Sequence, residues 1–155
     1  MAGRIRTRLK ELGIELPHSP PPNANYIPFV ISNNFIFVAG QVPSKDGKFK
    51  FVGRVGEDMD LDGGYQAARL CGINLISQVL AAVEGDLERV KRVVKLTGYV
   101  NCTVDFTDQP KVINGASDLM VDIFGPTGCH ARAAVGCQSL PFGVAVEVDG
   151  VFEIG

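Results

Sequence analysis

The chain has 155 residues, 46% of them hydrophobic and 21% charged, with a formal net charge of −2. That length fits a single domain able to bury roughly 70% of the surface its unfolded form exposes, and the composition is that of a globular chain, not a disordered one. An isoelectric point near 5.6 argues against a general electrostatic attraction to nucleic acid, and no apolar run approaches the length needed to span a bilayer.

The opening MAGRIRTRLKELG reads as a short solvated helix ending near Gly13. It is basic but leads into no apolar stretch with a small-residue cleavage site, so a secretory signal is not expected. The alternation of Arg4, Arg6 and Arg8 leaves an organelle presequence as the lesser reading. PHSPPPNANY (17–26) follows, and its prolines force an extended connection. Residues 1–24 are therefore read as a helix and a proline-rich segment ahead of a domain at 25–155.

YIPFVIS and FIFVAG read as two strands joined at Asn33 and Asn34, residues that tolerate a positive φ in a tight turn. Asp46-Gly47 marks a smaller hairpin or ordered loop. From Asp62 to Glu84 the apolar residues Tyr65, Ala68, Ile76, Val79 and Val83 recur at helical spacing, with Asp62 as the expected cap and Gly85 as the stop. KRVVKLTGYVNCT reads as a long strand, and the basic residues of ERVKRVVK (88–95) as its solvated edge. A second helix is expected from Asp108 to Phe124. Gly115 weakens it by about 1 kcal/mol relative to alanine, which points to close packing there. Strands at 131–138 and 144–154 complete the chain.

Runs of strands separated by two helices predict an α+β sandwich with both helices on one face of a single sheet. FIFVAG and YIPFVIS are apolar at both parities, so the face without helices needs a cover, and another copy of the chain in a closed ring is the simplest one. Cys71, Cys102, Cys129 and Cys137 show no CxxC pairing, and with only His18 and His130 present no zinc spacing is recognisable. They are read as reduced thiols in a cytoplasmic protein, Cys71 in the core and Cys129 beside His130.

Two charges interrupt the last strands. Arg132 shares a parity with Ala134, Gly136 and Gln138, and Glu147 shares one with Asp149 and Glu153. Both could simply face solvent. The alternative is chemical. Arg132 follows the loop GPTGCH and is flanked by alanines, so a small ligand could reach its planar fork of donors, which matches a carboxylate. A glutamate on a nearby strand could orient or deprotonate a water beside that ligand.

FVAGQVP (37–43), DLERVKRVVKLTGYV (86–100), DFTDQPKVINGASDLMVDIFG (105–125), HARAAVG (130–136) and LPFGVAVEVDGVF (140–152) resemble, in this order, the signature segments of the RidA family, also called YjgF or L-PSP. The similarity covers residues 25–154, and the form HAR-x-AVG is similar to a chorismate-mutase-like branch. The resemblance implies a chorismate-mutase-like α+β fold with one mixed, mainly antiparallel sheet and two helices on one face. It also implies a homotrimer with ligand clefts between subunits. Further, it implies a deaminase that hydrolyses reactive 2-enamines and 2-imines to 2-keto acids and ammonia with no metal or organic cofactor. On that basis Arg132 clamps the substrate carboxylate and Glu147 positions the attacking water. Tyr26, Gly40 and Asn114 line the cleft, and Ala134 occupies a cleft-wall position. Two departures from the family pattern are Ala39 and Ala134, where polar side chains are usual.

Two other readings stand beside this one. A carrier or sensor of small carboxylates would use the same Arg132 without turnover. An endoribonuclease is disfavoured by the acidic isoelectric point, the lack of aromatic residues interleaved with basic ones, and only two histidines. No membrane partner is expected.

Overall fold

A computed structural model describes residues 3–19 and 25–155, so residues 20–24 of the proline-rich connection lie outside the described ones. Helix α1 spans Arg4–Glu11, and its Ile5 and Leu9 are buried. Arg8 Nε donates to the carbonyl of Asp122 at 2.7 Å. The helix is thus docked, not solvated: two apolar residues four apart make one buried stripe, and they join the same core as the rest of the chain.

Strands β1 (Phe29–Ser32) and β2 (Phe35–Gln41) form the expected hairpin, with Asn33 at φ 53°. Strands β3 (Ser44–Lys45) and β4 (Lys48–Phe49) make the smaller one across Asp46 and Gly47, both at positive φ. Helix α2 runs from Leu61 to Ala82, and its cap is Asp60, whose carboxylate accepts from the Gly63 N–H at 2.9 Å. Asp62 instead lies inside the first turn. An aspartate there still complements the helix dipole, which is why the sequence alone does not separate the two positions.

Strand β5 (Val90–Asn101), helix α3 (Gln109–Phe124), strand β6 (Ala131–Cys137) and strand β7 (Val146–Ile154) follow. The main sheet has the order β1-β2-β7-β5-β6. Every neighbouring pair is antiparallel except β5 and β6, which are parallel and joined through α3. This is the single α+β sheet the strand and helix pattern predicts, mixed and mainly antiparallel as the resemblance implies.

Helices α2 and α3 cover one face of that sheet. Under them lie Ile36 and Val38 of β2, Val93, Leu96 and Val100 of β5, and Val146, Val148, Phe152 and Ile154 of β7, all buried. The two helices touch closely. A Cβ added to Gly115 would sit 2.0 Å from the Tyr65 carbonyl oxygen, so only glycine allows this approach. The other face carries no helix among the described residues. It exposes Val30, Phe35, Phe37 and Val135 beside the partly buried Glu147, Asp149 and Val151. Among the described residues no helix is long and apolar enough to cross a membrane.

Candidate functional site

Strand registers decide which face each candidate occupies. Arg132 pairs with Leu96 and Ala134 with Gly98. Paired residues project to the same side of a sheet, and Leu96 is buried under the helices. Arg132 therefore turns toward α3, at the edge of the sheet. Its Nη1 donates to Asn114 Oδ1 at 2.7 Å and to Ser117 Oγ at 3.2 Å, both from α3. All its hydrogen bonds among the described residues run through this one nitrogen, which leaves Nε and Nη2 as a pair of parallel donors. Ala134 lies on the same side and packs against the core beside Gly98, where Ile113 presses so closely that a Cβ on Gly98 would meet it at 2.4 Å.

His130, just ahead of β6, is part of this group. Its Nδ1 lies 2.7 Å from the Gly128 carbonyl and its Nε2 lies 2.9 Å from Ser117 Oγ. The sequence reading leaves His130 as a loop residue and passes over Ser117. A signal existed: Asn114 and Ser117 are polar residues three apart on a helix, hence on one face. Nothing in the sequence shows that this face looks at β6.

Glu147 belongs to a second group. It pairs with Tyr99, between the buried Val146 and Val148, so it projects from the open face. A register shift in β2 between Val38 and Gln41 lays Gly40 over it, and a Cβ on Gly40 would fall 2.6 Å from Glu147 Oε1. Partial burial raises the Glu147 pKa above the ordinary carboxylate range, and the nearby Asp149 raises it further. Asp149 is raised by burial too, although hydrogen bonds from Thr97 and Tyr99 and the charge of Lys95 oppose that shift. Cys137, pushed up chiefly by burial, shares this face. Tyr26 is exposed, near the start of β1, where Pro28 accepts from the Ala39 N–H at 2.9 Å, so it lies at the Gly40 end of that hairpin.

One chain thus brings Arg132, Asn114 and Ala134 together, and separately Gly40 and Glu147. It does not bring Arg132 to Glu147, because they occupy opposite faces with β5 between β6 and β7. A hollow of about 570 Å³ between residues 13–18, the β3–β4 hairpin and α2 contains none of these residues. Cys71 is buried and Cys129 exposed, and all four cysteines are free. Among the described residues no group of three or more His, Cys, Asp or Glu side chains is placed to hold a metal ion.

A family model described as "YjgF/chorismate mutase-like, putative endoribonuclease" matches residues 6–149. The chain belongs to this YjgF family. Protein TCP17 of Trypanosoma cruzi is 46% identical to it over 154 residues, which cover 99% of this chain and 96% of that one. A crystal structure of an Agrobacterium tumefaciens protein of unknown function is 48% identical, with a TM-score of 0.92 over 98% of this chain and 93% of the other. More distant YjgF members share the fold. The YjgF gene product of Escherichia coli is 19% identical with a TM-score of 0.62, over 88% of this chain and 93% of its own. The YjgF match begins inside α1, in keeping with the docking of that helix on the core.

Proposed function

We propose that the protein hydrolyses 2-imino and 2-enamino acids to 2-keto acids and ammonia. The observation that carries this reading is Arg132. Its guanidinium is held at Nη1 by Asn114 and Ser117, on an edge strand, with two parallel donors left for a carboxylate. In the reaction water adds to C2 of the imine, giving a carbinolamine. The nitrogen takes up a proton and leaves as ammonia, and the C2 hydroxyl becomes the keto group.

Glu147 is the group proposed to hold and activate the water. Because it faces away from Arg132 within one chain, the reading takes Arg132, Asn114 and Ala134 from one protomer and Gly40, Glu147 and Tyr26 from the next. The apolar open face, with Phe35 and Phe37 exposed, supports assembly of copies, and a homotrimer closes such a ring. No metal or organic cofactor takes part in this reading, and its setting is cytoplasmic. These imines also hydrolyse spontaneously, so carboxylate positioning plus general-base help of about 10²- to 10⁴-fold suffices.

The test generates imino acids with an amino-acid oxidase and follows their decay. The protein is expected to accelerate it and Arg132→Ala to abolish the effect; no acceleration, or an unchanged one in the variant, sinks the reading. If ligands bind and no decay is accelerated, the protein is a carboxylate carrier.

Ribonuclease activity is the second reading, favoured by the description of the matching family and by one surface. Lys48-Phe49-Lys50-Phe51 does alternate basic and aromatic residues, against the sequence-level expectation, and Phe49 stacks on the exposed Phe142 with ring centres 4.3 Å apart. Stacked, exposed aromatics beside lysines suit single-stranded RNA. RNA cleavage by repurified protein that survives Arg132→Ala and is lost in Phe142→Ala would establish it.

A further inference from the structure

We propose that Ser117 and His130 are positioning residues for Arg132, joined to it in a one-directional chain of hydrogen bonds that fixes which edge of the guanidinium meets a carboxylate. The proposal rests on the reading of Arg132 as a carboxylate clamp.

The chemistry of each group sets the direction of the chain. The Gly128 carbonyl can only accept, so His130 Nδ1, 2.7 Å away, carries a proton. In the neutral ring Nε2 is then the acceptor, and its partner at 2.9 Å, Ser117 Oγ, is the donor. A hydroxyl that donates its one proton still has lone pairs to offer. Arginine has donors only, so Nη1 at 3.2 Å donates to Ser117 and, at 2.7 Å, to Asn114 Oδ1. With the ring neutral each member has one role, and reversing the Ser117–His130 link would move the proton to Nε2 and leave Nδ1 and the Gly128 carbonyl as two acceptors facing each other.

The elements explain why the chain can be rigid. Asn114 and Ser117 stand one turn apart on α3, and α3 is pinned against α2 at Gly115. His130 and Arg132 flank the first residue of β6, which is held parallel to β5. Two elements therefore meet at a single guanidinium nitrogen. An arginine tethered at Nη1 cannot rotate its fork about the terminal bond, and Nε and Nη2 stay turned outward for a bidentate partner.

Two measurements test this. The first is side-chain nitrogen NMR of the wild-type protein, which needs no variant. His130 is expected as the Nδ1-protonated neutral tautomer, whereas a ring protonated on Nε2 overturns the proposal. The second is titration with 2-ketobutyrate by calorimetry, alongside imino-acid kinetics. Ser117→Ala and His130→Phe are expected to weaken binding roughly 10-fold and to raise KM with kcat little changed. That pattern marks lost binding of ground and transition states alike. Ser117→Thr, which keeps the hydroxyl, and His130→Gln, which keeps an acceptor, are expected to restore affinity. If the wild-type protein binds 2-ketobutyrate and the variants bind it equally well, the positioning role fails and the clamp stands. If the wild-type protein does not bind it, the clamp itself fails and this proposal with it.

Discussion

Glu147 is held where its charge is disfavoured, and that has opposite consequences for activity and stability. Its pKa is raised by burial and by Asp149. A carboxyl whose folded-state pKa exceeds its unfolded value of about 4.3 contributes stability that is fully present below that pH and is lost as pH rises through the folded value. Glu147→Gln removes the ionisation. It is expected to raise the thermal midpoint at pH 7 but not near pH 4, and to lower the imino-acid rate by about 10²- to 10⁴-fold; a variant less stable at pH 7 contradicts this placement of the charge. If the wild-type protein turns over imino acids as proposed, the acid limb of its rate profile should lie above the ordinary glutamate range. Gly40→Ala offers a steric counterpart. Its methyl would fall 2.6 Å from Glu147 Oε1, so the carboxylate must move. Activity should drop by more than tenfold while the circular dichroism spectrum stays that of the wild type.

At the scale of elements, α3 links the fold to Arg132. It connects the parallel strands β5 and β6, packs on α2 through Gly115, and presents Asn114 and Ser117 to Arg132. Gly115→Ala would place a methyl 2.0 Å from the Tyr65 carbonyl oxygen, and backbone cannot yield as a side-chain tip can. Overpacking of this kind costs about 1–3 kcal/mol. Urea unfolding should show that loss, together with a raised KM, because Asn114 adjoins the displaced residue; an unchanged midpoint would mean the helices are not in close contact. Tyr65 adds a polar tie between the same helices. Its hydroxyl donates to Asp118 at 2.7 Å, and that bond to a carboxylate pushes its pKa up to about 12.

How far the sequence reaches is clearest here. Asn33, Asp46-Gly47 and Gly85 locate turns because their backbone needs are local, and the periodicity of 62–84 locates a helix for the same reason. Alternation in 131–138 separates Arg132 from Ala131 and Val135, yet parity alone names two faces without saying which one a helix covers. That depends on β6 pairing parallel to β5, a non-local fact. The opposite facing of Arg132 and Glu147, and the placing of Ser117 beside Arg132, were illegible for that reason.

For the whole molecule, the proposed division of the site between protomers makes a sharp demand. On that reading Arg132→Ala and Glu147→Gln each spoil every site of a pure oligomer. Mixed after unfolding and refolding together, they should regain activity, because some interfaces combine the intact arginine of one chain with the intact glutamate of another. Random assembly of equal amounts predicts about a quarter of wild-type activity. No recovery in mixed oligomers, with both variants folded, would overturn the division of the site between protomers.

Strand β6 has a last consequence. It lies at the margin of the sheet, and apart from Arg132 its residues ARAAVGC carry no charge. Among the described residues one row of its backbone donors and acceptors has no strand beside it, and uncharged margins of this kind invite pairing with other chains. The open margin that carries Arg132 is thus also a template for self-association. If copies assemble as proposed, a change that loosens the assembly should be detected as turbidity on warming before it is detected as unfolding.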